Sequence, residues 1–122
     1  MQFMALIYGE EAQWDALSDE ERKHMHERYA ALGNDAGEAG VLAGGKELDS
    51  TRSATTVRVR DGQTLVTDGP YAETKEQLGG YYLFDCPTWE EALDWAARIP
   101  AVEHGAIEVR QVHVDEEEEA AS

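Results

Sequence analysis

The sequence holds a single cysteine, Cys86, so no disulfide can form within the chain. One cysteine also lacks the paired spacing of a structural metal site. Because unpaired thiols persist in reducing surroundings, we expect the protein to be cytoplasmic. Cys86 precedes a proline at the end of an apolar stretch, which is typical of a small core residue rather than of a nucleophile.

Long apolar runs are also missing, and none approaches the roughly 18 residues that a membrane-spanning helix needs. The apolar stretch at residues 3–8 is short, with neither a basic leader nor a small-residue cleavage site, so we expect no secretory signal and no membrane association. Hydrophobic residues make up 42% of the 122 residues, enough for the core of one domain. We therefore expect a single domain over residues 1–114.

Basic residues are scarce: 10 lysines and arginines face 26 acids, for a net charge of −16. Such a surface repels phosphate backbones and anionic lipids, so we expect no direct nucleic-acid partner. The acids 115–119 open a tail, residues 115–122, that we expect to be disordered. The surplus is typical of solubility or of a salt-rich cytoplasm, although it would also attract a cationic partner.

The first half of the sequence predicts a strand, a helix and a second strand. Residues 3–8 are apolar on both faces of a strand. Ser18 and Glu21 form a capping box that begins a helix ending at Gly37 or Gly40. The apolar stripe of this helix has 4, 3, 4 spacing and consists of Met25, Tyr29, Leu32 and Ala36. Residues 41–48 predict the next strand, where the pair Gly44-Gly45 indicates a bulge or a close backbone approach.

The second half predicts a hairpin, a strand, a helix and a last strand. Asp61-Gly62 supplies the positive-φ turn between strands 55–60 and 63–67, and Asp68-Gly69-Pro70 ends the second arm. Residues 78–84 form another strand that is apolar on both faces. The remaining elements are a helix that begins with the capping box Thr88–Glu91, packs Trp89, Ala92, Leu93 and Ala96 inward and stops at Pro100, and a strand over residues 106–114.

This order of elements predicts an α+β fold of the ferredoxin-like split βαβ type with an inserted β-hairpin. Two helices cover only one face of such a sheet, whereas its central strands are apolar on both faces. A second copy is the simplest cover for the other face. We therefore expect a homodimer whose sheets face each other.

The segment 68–76, Asp-Gly-Pro-Tyr-Ala-Glu-Thr-Lys-Glu, is followed by Leu-Gly-Gly-Tyr-Tyr at 78–82 and resembles the DGPF-type branch of the YCII-related family. The resemblance extends over nearly the whole chain. It implies a dimeric α/β-barrel assembly, and position 71 carries Tyr where the family name has Phe, so a hydroxyl enters the motif.

The resemblance also implies a function, since some relatives are thought to use a His and Asp pair on small aromatic compounds. Relatives place a histidine in the first helix, so His24 and Asp68 become the candidate acid–base pair, in a pocket under the 68–76 loop. The simpler interpretations are that Asp68 caps its own turn and that His24 is merely exposed. His24 and His26 point about 200° apart on a helix and do not share one site.

Charged and aromatic residues of the same loop are the candidate ligand-binding set, although surface ion pairing is the simpler explanation of the charges. This set consists of Tyr71, Glu73, Lys75 and Glu76. His104 and His113 lack the spacing of metal ligands, and the glycine pairs lack the context of a phosphate-binding loop. We expect no metal and no cofactor.

Two other functions remain open. DGPF-type proteins are associated with extracytoplasmic-function sigma factors, so the resemblance also permits a non-catalytic module that binds a ligand or a partner protein. Alternatively, residues 68–76 only stabilise the hairpin and the dimer edge.

Overall fold

A four-stranded antiparallel sheet and a separate two-stranded hairpin make up the strands of the computed structural model, which describes residues 1–115. In chain order the elements are β1 (Gln2–Gly9), α1 (Glu11–Asp15), α2 (Asp19–Glu38), β2 (Leu42–Glu47), β3 (Thr55–Arg60), β4 (Gln63–Asp68), β5 (Gln77–Asp85), α3 (Trp89–Ala96) and β6 (Ala106–Gln111). Short 3-10 helices cover Thr51–Ser53 and Pro100–Glu103. No helix in residues 1–115 is long and apolar enough to cross a bilayer.

The strand order of the sheet is β2-β5-β1-β6, and β3 pairs only with β4. Helix α2 connects β1 to β2, and α3 connects β5 to β6, so each helix joins two strands that are separated by another strand. This is the connectivity of the split βαβ plan with a hairpin inserted between its halves. The expected α+β class is confirmed, and the dimeric assembly remains a prediction.

Both longer helices pack on one face of the sheet. Ala5 of β1 and Phe84 of β5 are fully buried there with Leu32 of α2 and Ala96 of α3, and Phe3 of β1 is buried with Ala92 of α3. Because side chains alternate along a strand, their neighbours point to the opposite face. Those neighbours are partly exposed and consist of Met4, Leu6, Tyr81 and Leu83.

Local signals set the ends of α2 and of the hairpin as predicted. The Ser18 hydroxyl accepts from the Glu21 amide at 3.1 Å, and the Ser18 amide donates to the Glu21 carboxylate at 3.1 Å. Gly40 follows the helix with φ of 73°. Asp61 and Gly62 have φ of 51° and 76°, which is the type I′ geometry that a two-residue hairpin loop needs.

The prediction for α3 was partly wrong. The helix ends at Ala96 rather than running to Pro100, which instead begins a 3-10 helix. Leu93 is 50% exposed and is not packed inward as expected, whereas Trp89 is 40% exposed and its ring meets that of the buried Phe3 edge to face at 5.0 Å. Ala92 and Ala96 are buried one helical turn apart, and Leu93 lies about 100° away from Ala92 around the axis.

The second capping box and the last strand also differ from expectation. The Thr88 hydroxyl accepts from the Glu91 amide at 3.2 Å, but among residues 1–115 the reciprocal bond from Glu91 is not made. Strand β6 ends at Gln111 instead of residue 114. The predicted disordered tail begins at Asp115, and residues 116–122 lie outside the described part of the chain.

Candidate functional site

Helix α1 lies directly after β1 and was not predicted from the sequence. Its five residues are too few to show a helical period, and its N-cap residue Glu10 makes no capping bond. Contacts with α2 hold it instead. The Trp14 ring meets the His26 ring edge to face at 5.5 Å, and Arg22 donates to the backbone carbonyls of Trp14 and Asp15 at 3.3 and 2.8 Å.

The Glu11 carboxylate connects α1 to the segment after β2. It accepts a hydrogen bond from the Thr51 amide at 2.7 Å and one each from the Ser50 and Thr51 hydroxyls at 3.0 Å. The backbone bond from Thr51 is the main cause that lowers the pKa of Glu11, with burial opposing it and the hydroxyl bonds adding to it. Glu11 therefore serves as an ionised structural anchor at neutral pH.

The end of the 68–76 loop is attached to the same helix. The Glu11 amide donates to the Gln77 side-chain carbonyl at 3.0 Å, and the Gln77 amide nitrogen donates to the Thr74 carbonyl at 2.7 Å. Lys75 forms an ion pair with Glu10 at 3.3 Å. Helix α1 is thus the junction where β1, the segment after β2 and the 68–76 loop meet.

A cavity of about 580 Å³ lies between α1, α2 and the adjacent ends of β1, β2 and β5. Six of its lining residues carry rings, namely Tyr8, Trp14, His26, Tyr29, Tyr81 and Tyr82, and of these Tyr81 turns its side chain toward the opposite face of the sheet. A smaller adjoining cavity of about 460 Å³ is lined by Glu10, Glu11, Asp15, Arg52, Lys75 and Gln77, among others. We call the larger space the α1–α2 cleft. Its size and aromatic lining are typical of small-molecule sites.

The aromatic wall of the cleft is a row of parallel rings. Tyr29 stacks on Tyr82 with centroids 6.4 Å apart, and Tyr82 stacks on Phe84 at 5.6 Å. Gly45 lies opposite Tyr82 on β2, and a Cβ atom there would come within 3.1 Å of the Tyr82 ring. Glycine at position 45 therefore leaves the space that the Tyr82 ring occupies.

Burial raises the pKa values of the tyrosines of this wall further above neutral pH. Burial, together with the neighbouring Tyr82, raises the pKa of Tyr29 to about 12. Burial and then the negative charge of Glu47 raise the pKa of Tyr82. At neutral pH both phenols therefore offer hydroxyl groups and aromatic faces to a ligand, and neither acts as a base.

The predicted acid–base residues lie outside both cavities. His24 is exposed and lines neither of them. Asp68 is exposed at the end of β4, and within residues 1–115 its carboxylate makes no hydrogen bond. The capping role that was its simpler interpretation is thus not seen in the described structure. The β4 strand ends at Asp68, and the next residue, Gly69, turns the chain with a φ of 102°.

The predicted ligand-binding residues are placed differently from one another. Tyr71 is 76% exposed and carries the Arg58 guanidinium over its ring at 5.4 Å. Lys75 lines the smaller cavity. Glu73 is exposed and Glu76 is half-buried, and neither lines the two cavities described here. The roof of the cleft is therefore α1 rather than the 68–76 loop.

His26 is the histidine that the structure places in the α1–α2 cleft. A signal for this position was present in the sequence, because residues three apart share a helical face and His26 precedes the inward-facing Tyr29 by three. His24 is five residues from Tyr29 and points away from that face. The partner of His26, Trp14, had no signal because α1 itself could not be predicted.

The surroundings of Cys86, His104 and His113 within residues 1–115 give these residues no sign of a functional site. Cys86 is buried, and burial is the first cause that raises the pKa of its thiol, as expected for a core residue. In the described chain no three His, Cys, Asp or Glu side chains come together as metal ligands. His104 and His113 lie beside single carboxylates, at 3.9 Å from Glu103 and 3.3 Å from Asp115.

Comparison with known proteins places the chain in a family. The YCII-related domain matches residues 1–115. An uncharacterized protein of Rhizobium meliloti (strain 1021) is 40% identical over 112 residues, which cover 90% of this chain and 90% of the relative. The match spans the sheet, both longer helices, α1 and the hairpin, so the chain belongs to the YCII-related family.

Proposed function

We propose that the protein binds a small, partly aromatic molecule in the α1–α2 cleft and that His26 is the group that moves a proton there. The observation that carries the proposal is the cavity of about 580 Å³, in which a histidine faces a wall of stacked tyrosine rings. Histidine is the side chain best suited to exchange protons near neutral pH. The proposed reaction class is acid–base chemistry on a bound organic molecule.

Two features of the cleft support this role for His26. The edge-to-face contact with Trp14 at 5.5 Å orients the imidazole ring without using either nitrogen. The phenols of Tyr29 and Tyr82 stay protonated, so they can donate hydrogen bonds to a ligand while His26 accepts or releases a proton.

A pair of variants on one helix tests the proposal. We expect His26→Ala to weaken binding of small aromatic fragments about tenfold, while His24→Ala, on the same helix but outside the cleft, leaves binding unchanged. Fragment binding is measured by NMR, with the indole signal of Trp14 reporting the cleft and those of Trp89 and Trp95 as references. A screen in which no fragment shifts the Trp14 signal would refute the proposal.

The pair His24 and Asp68 remains a competing proposal, supported by the family resemblance. The same NMR titration distinguishes the two. If Asp68→Ala and His24→Ala both abolish binding while His26→Ala does not, proton transfer belongs to the loop and not to the cleft. If Asp68→Ala lowers only the melting temperature, the 68–76 segment has a structural role.

The second candidate function is a non-catalytic module that binds a partner protein, as the association with sigma factors implies. The hairpin favours it, because Val57, Val59 and Val66 are 62%, 67% and 65% exposed. Val57 pairs with Val66 across the two strands, so the three form one apolar patch. Affinity purification with the wild type and with a Val57→Thr/Val66→Thr variant tests it. If both the wild type and the variant recover only further copies of the protein itself, that result would count against this function.

We further propose that the protein is a cytoplasmic homodimer of the α/β-barrel type. Support comes from the sheet face opposite the helices, where Met4, Leu6, Tyr81 and Leu83 are only partly covered. Apolar side chains of neighbouring strands gain free energy when a second sheet covers them. A second copy presents the same apolar face and is the partner that a two-fold interface requires.

A further inference from the structure

The lining of the α1–α2 cleft is mostly negatively charged. Five carboxylates line it, from Glu10, Glu11, Asp15, Glu47 and Asp49, against two basic residues, Lys46 and Arg52. Anionic substrates such as carboxylic acids or phosphates would meet repulsion at this entrance. The distribution of these charges decides which ligand the cleft can take.

Most of these carboxylates already have partners within the protein. Glu11 accepts bonds from Ser50 and Thr51, Glu10 pairs with Lys75 at 3.3 Å, and Asp15 pairs with Arg52 at 3.1 Å. These contacts use the charge of Arg52 and hold α1 in place. They leave the carboxylates of Glu47 and Asp49 without an ion pair in the described part of the chain.

Glu47 lies on the side of the sheet that carries the tyrosine wall. On β2 it is two residues from Gly45, which pairs with Tyr82, so both project to the helix-covered face. The negative charge of Glu47 acts on both tyrosines, since it contributes to raising their pKa values. Lys46 also lines the cleft, but it pairs with Tyr81, so its side chain leaves β2 on the opposite face, and it forms no ion pair with Glu47 within residues 1–115.

We infer that the ligand of the α1–α2 cleft is a small organic cation, an amine with an aromatic or apolar body. The body packs against the row of rings that includes Tyr29 and Tyr82, whose π systems also attract a positive charge, and the ammonium group pairs with Glu47. This inference rests on the proposed function, because it names the ligand class of the same cleft. Stacked rings beside an unpaired carboxylate form the combination that recognises such cations.

Probes of one shape and three charges test the inference. Benzylamine, benzyl alcohol and benzoate, and the same three groups on naphthalene, are titrated into the full chain and followed at the Trp14 indole signal. We expect the amine to bind best and the carboxylate worst. The affinity of the amine should fall as ionic strength rises, because salt screens the exposed Glu47 charge.

A matched pair of variants identifies the carboxylate responsible. We expect Glu47→Gln to weaken amine binding about fivefold and to leave the alcohol unaffected. The control is Glu90→Gln, which removes the same charge at the start of α3, beyond the C-terminal end of β5, whereas the cleft lies at the N-terminal end of β5. It should change neither probe.

Other results of these titrations would overturn the inference alone or together with the proposed function. If the alcohol or the carboxylate shifts the Trp14 signal at least as strongly as the amine does, the cation inference fails while the proposed ligand-binding cleft stands. Equal effects of Glu47→Gln and Glu90→Gln would also overturn it, because the preference would then come from the general acidity of the protein. If no probe binds, the inference and the proposed function fail together.

Discussion

Glu11 shows how one side chain can position a site without touching its ligand. Its carboxylate accepts three hydrogen bonds from Ser50 and Thr51, while its backbone amide donates to Gln77. Hydrogen bonds to an ionised group stabilise more than neutral ones do. Loss of these bonds would free α1, which carries Trp14, from the rim of the cleft.

This arrangement predicts a defined pH dependence of stability. The pKa of Glu11 is lowered below its ordinary value of 4.5, so the stabilisation is complete above that pH and is lost as pH falls through the lower folded value. We expect Glu11→Gln to lower the free energy of unfolding by about 1 kcal/mol at pH 7. The deficit should vanish in acid, as urea denaturation at a series of pH values would show.

The control for this prediction is Glu27→Gln, since Glu27 is exposed on α2 and makes no hydrogen bond or ion pair with the described residues. Its stability should stay close to that of the wild type across the same pH range. A deficit for Glu11→Gln that persists below the folded pKa would contradict a charge-dependent role for Glu11.

Two adjacent glycines on β2 give a second test at the residue scale. A Cβ atom at Gly45 would lie 2.9 Å from the Tyr81 carbonyl and 3.1 Å from the Tyr82 ring, whereas at Gly44 the nearest atom is 3.8 Å away. We expect Gly45→Ala to lower the free energy of unfolding by about 1–3 kcal/mol and to displace Tyr82. Gly44→Ala should have little effect. Thermal unfolding of both variants checks this prediction. Equal losses of stability in the two variants would contradict it.

Helices α1 and α2 differ in how far residues close in sequence stabilise them. Helix α2 has a complete capping box and a buried stripe, so its own sequence specifies its start and its inward face. Helix α1 has neither, and its position depends on contacts with α2, the segment after β2 and Gln77. The cleft therefore combines a locally specified wall with one that tertiary contacts hold.

The capping box of α2 predicts a graded response to substitution. Ser18→Ala removes the hydroxyl that accepts from the Glu21 amide and should cost about 1 kcal/mol of unfolding free energy. Ser18→Gly should cost only a few tenths of this, because glycine is tolerated at the N-cap. Urea denaturation measures both, and an equal loss for the two variants would show that the hydroxyl bond is not what stabilises this end.

At the scale of the whole molecule, helices cover one face of the sheet and leave the other partly exposed, and the proposed dimer forms through the exposed face. Leu6 lies on the partly exposed face and pairs across the sheet with Glu108. We expect Leu6→Lys to shift the proposed dimer to a monomer in analytical ultracentrifugation, because it places a charge in the interface. The new lysine lies opposite Glu108 within its own sheet, so the monomer should stay folded by circular dichroism.

The control is Leu93→Lys on α3, which changes a leucine that is 50% exposed on the other side of the molecule. This variant should remain dimeric. A wild type that sediments as a monomer at micromolar concentration, or dissociation by Leu93→Lys alone, would refute dimerisation through the open sheet face.

Most of the fold could be predicted because its signals are local. The Asp61-Gly62 turn, the Ser18 cap and the two-sided strands each depend on residues that are close in sequence, and the structure has all of them. The errors in α3 arose because Leu93 and Ala92 are adjacent in sequence, and only packing decides which of them faces the core.

The sequence by itself determined the α+β class, the order of the elements and the acidity of the surface, since these follow from periodicity, caps and composition. Tertiary structure alone decided where the cleft lies, because contacts with α2, the segment after β2 and Gln77 hold α1 in place. It also placed His26, rather than His24, beside the tyrosines: helical spacing relates residues on one helix, but only docking of α1 against α2 and the sheet encloses a cavity around them.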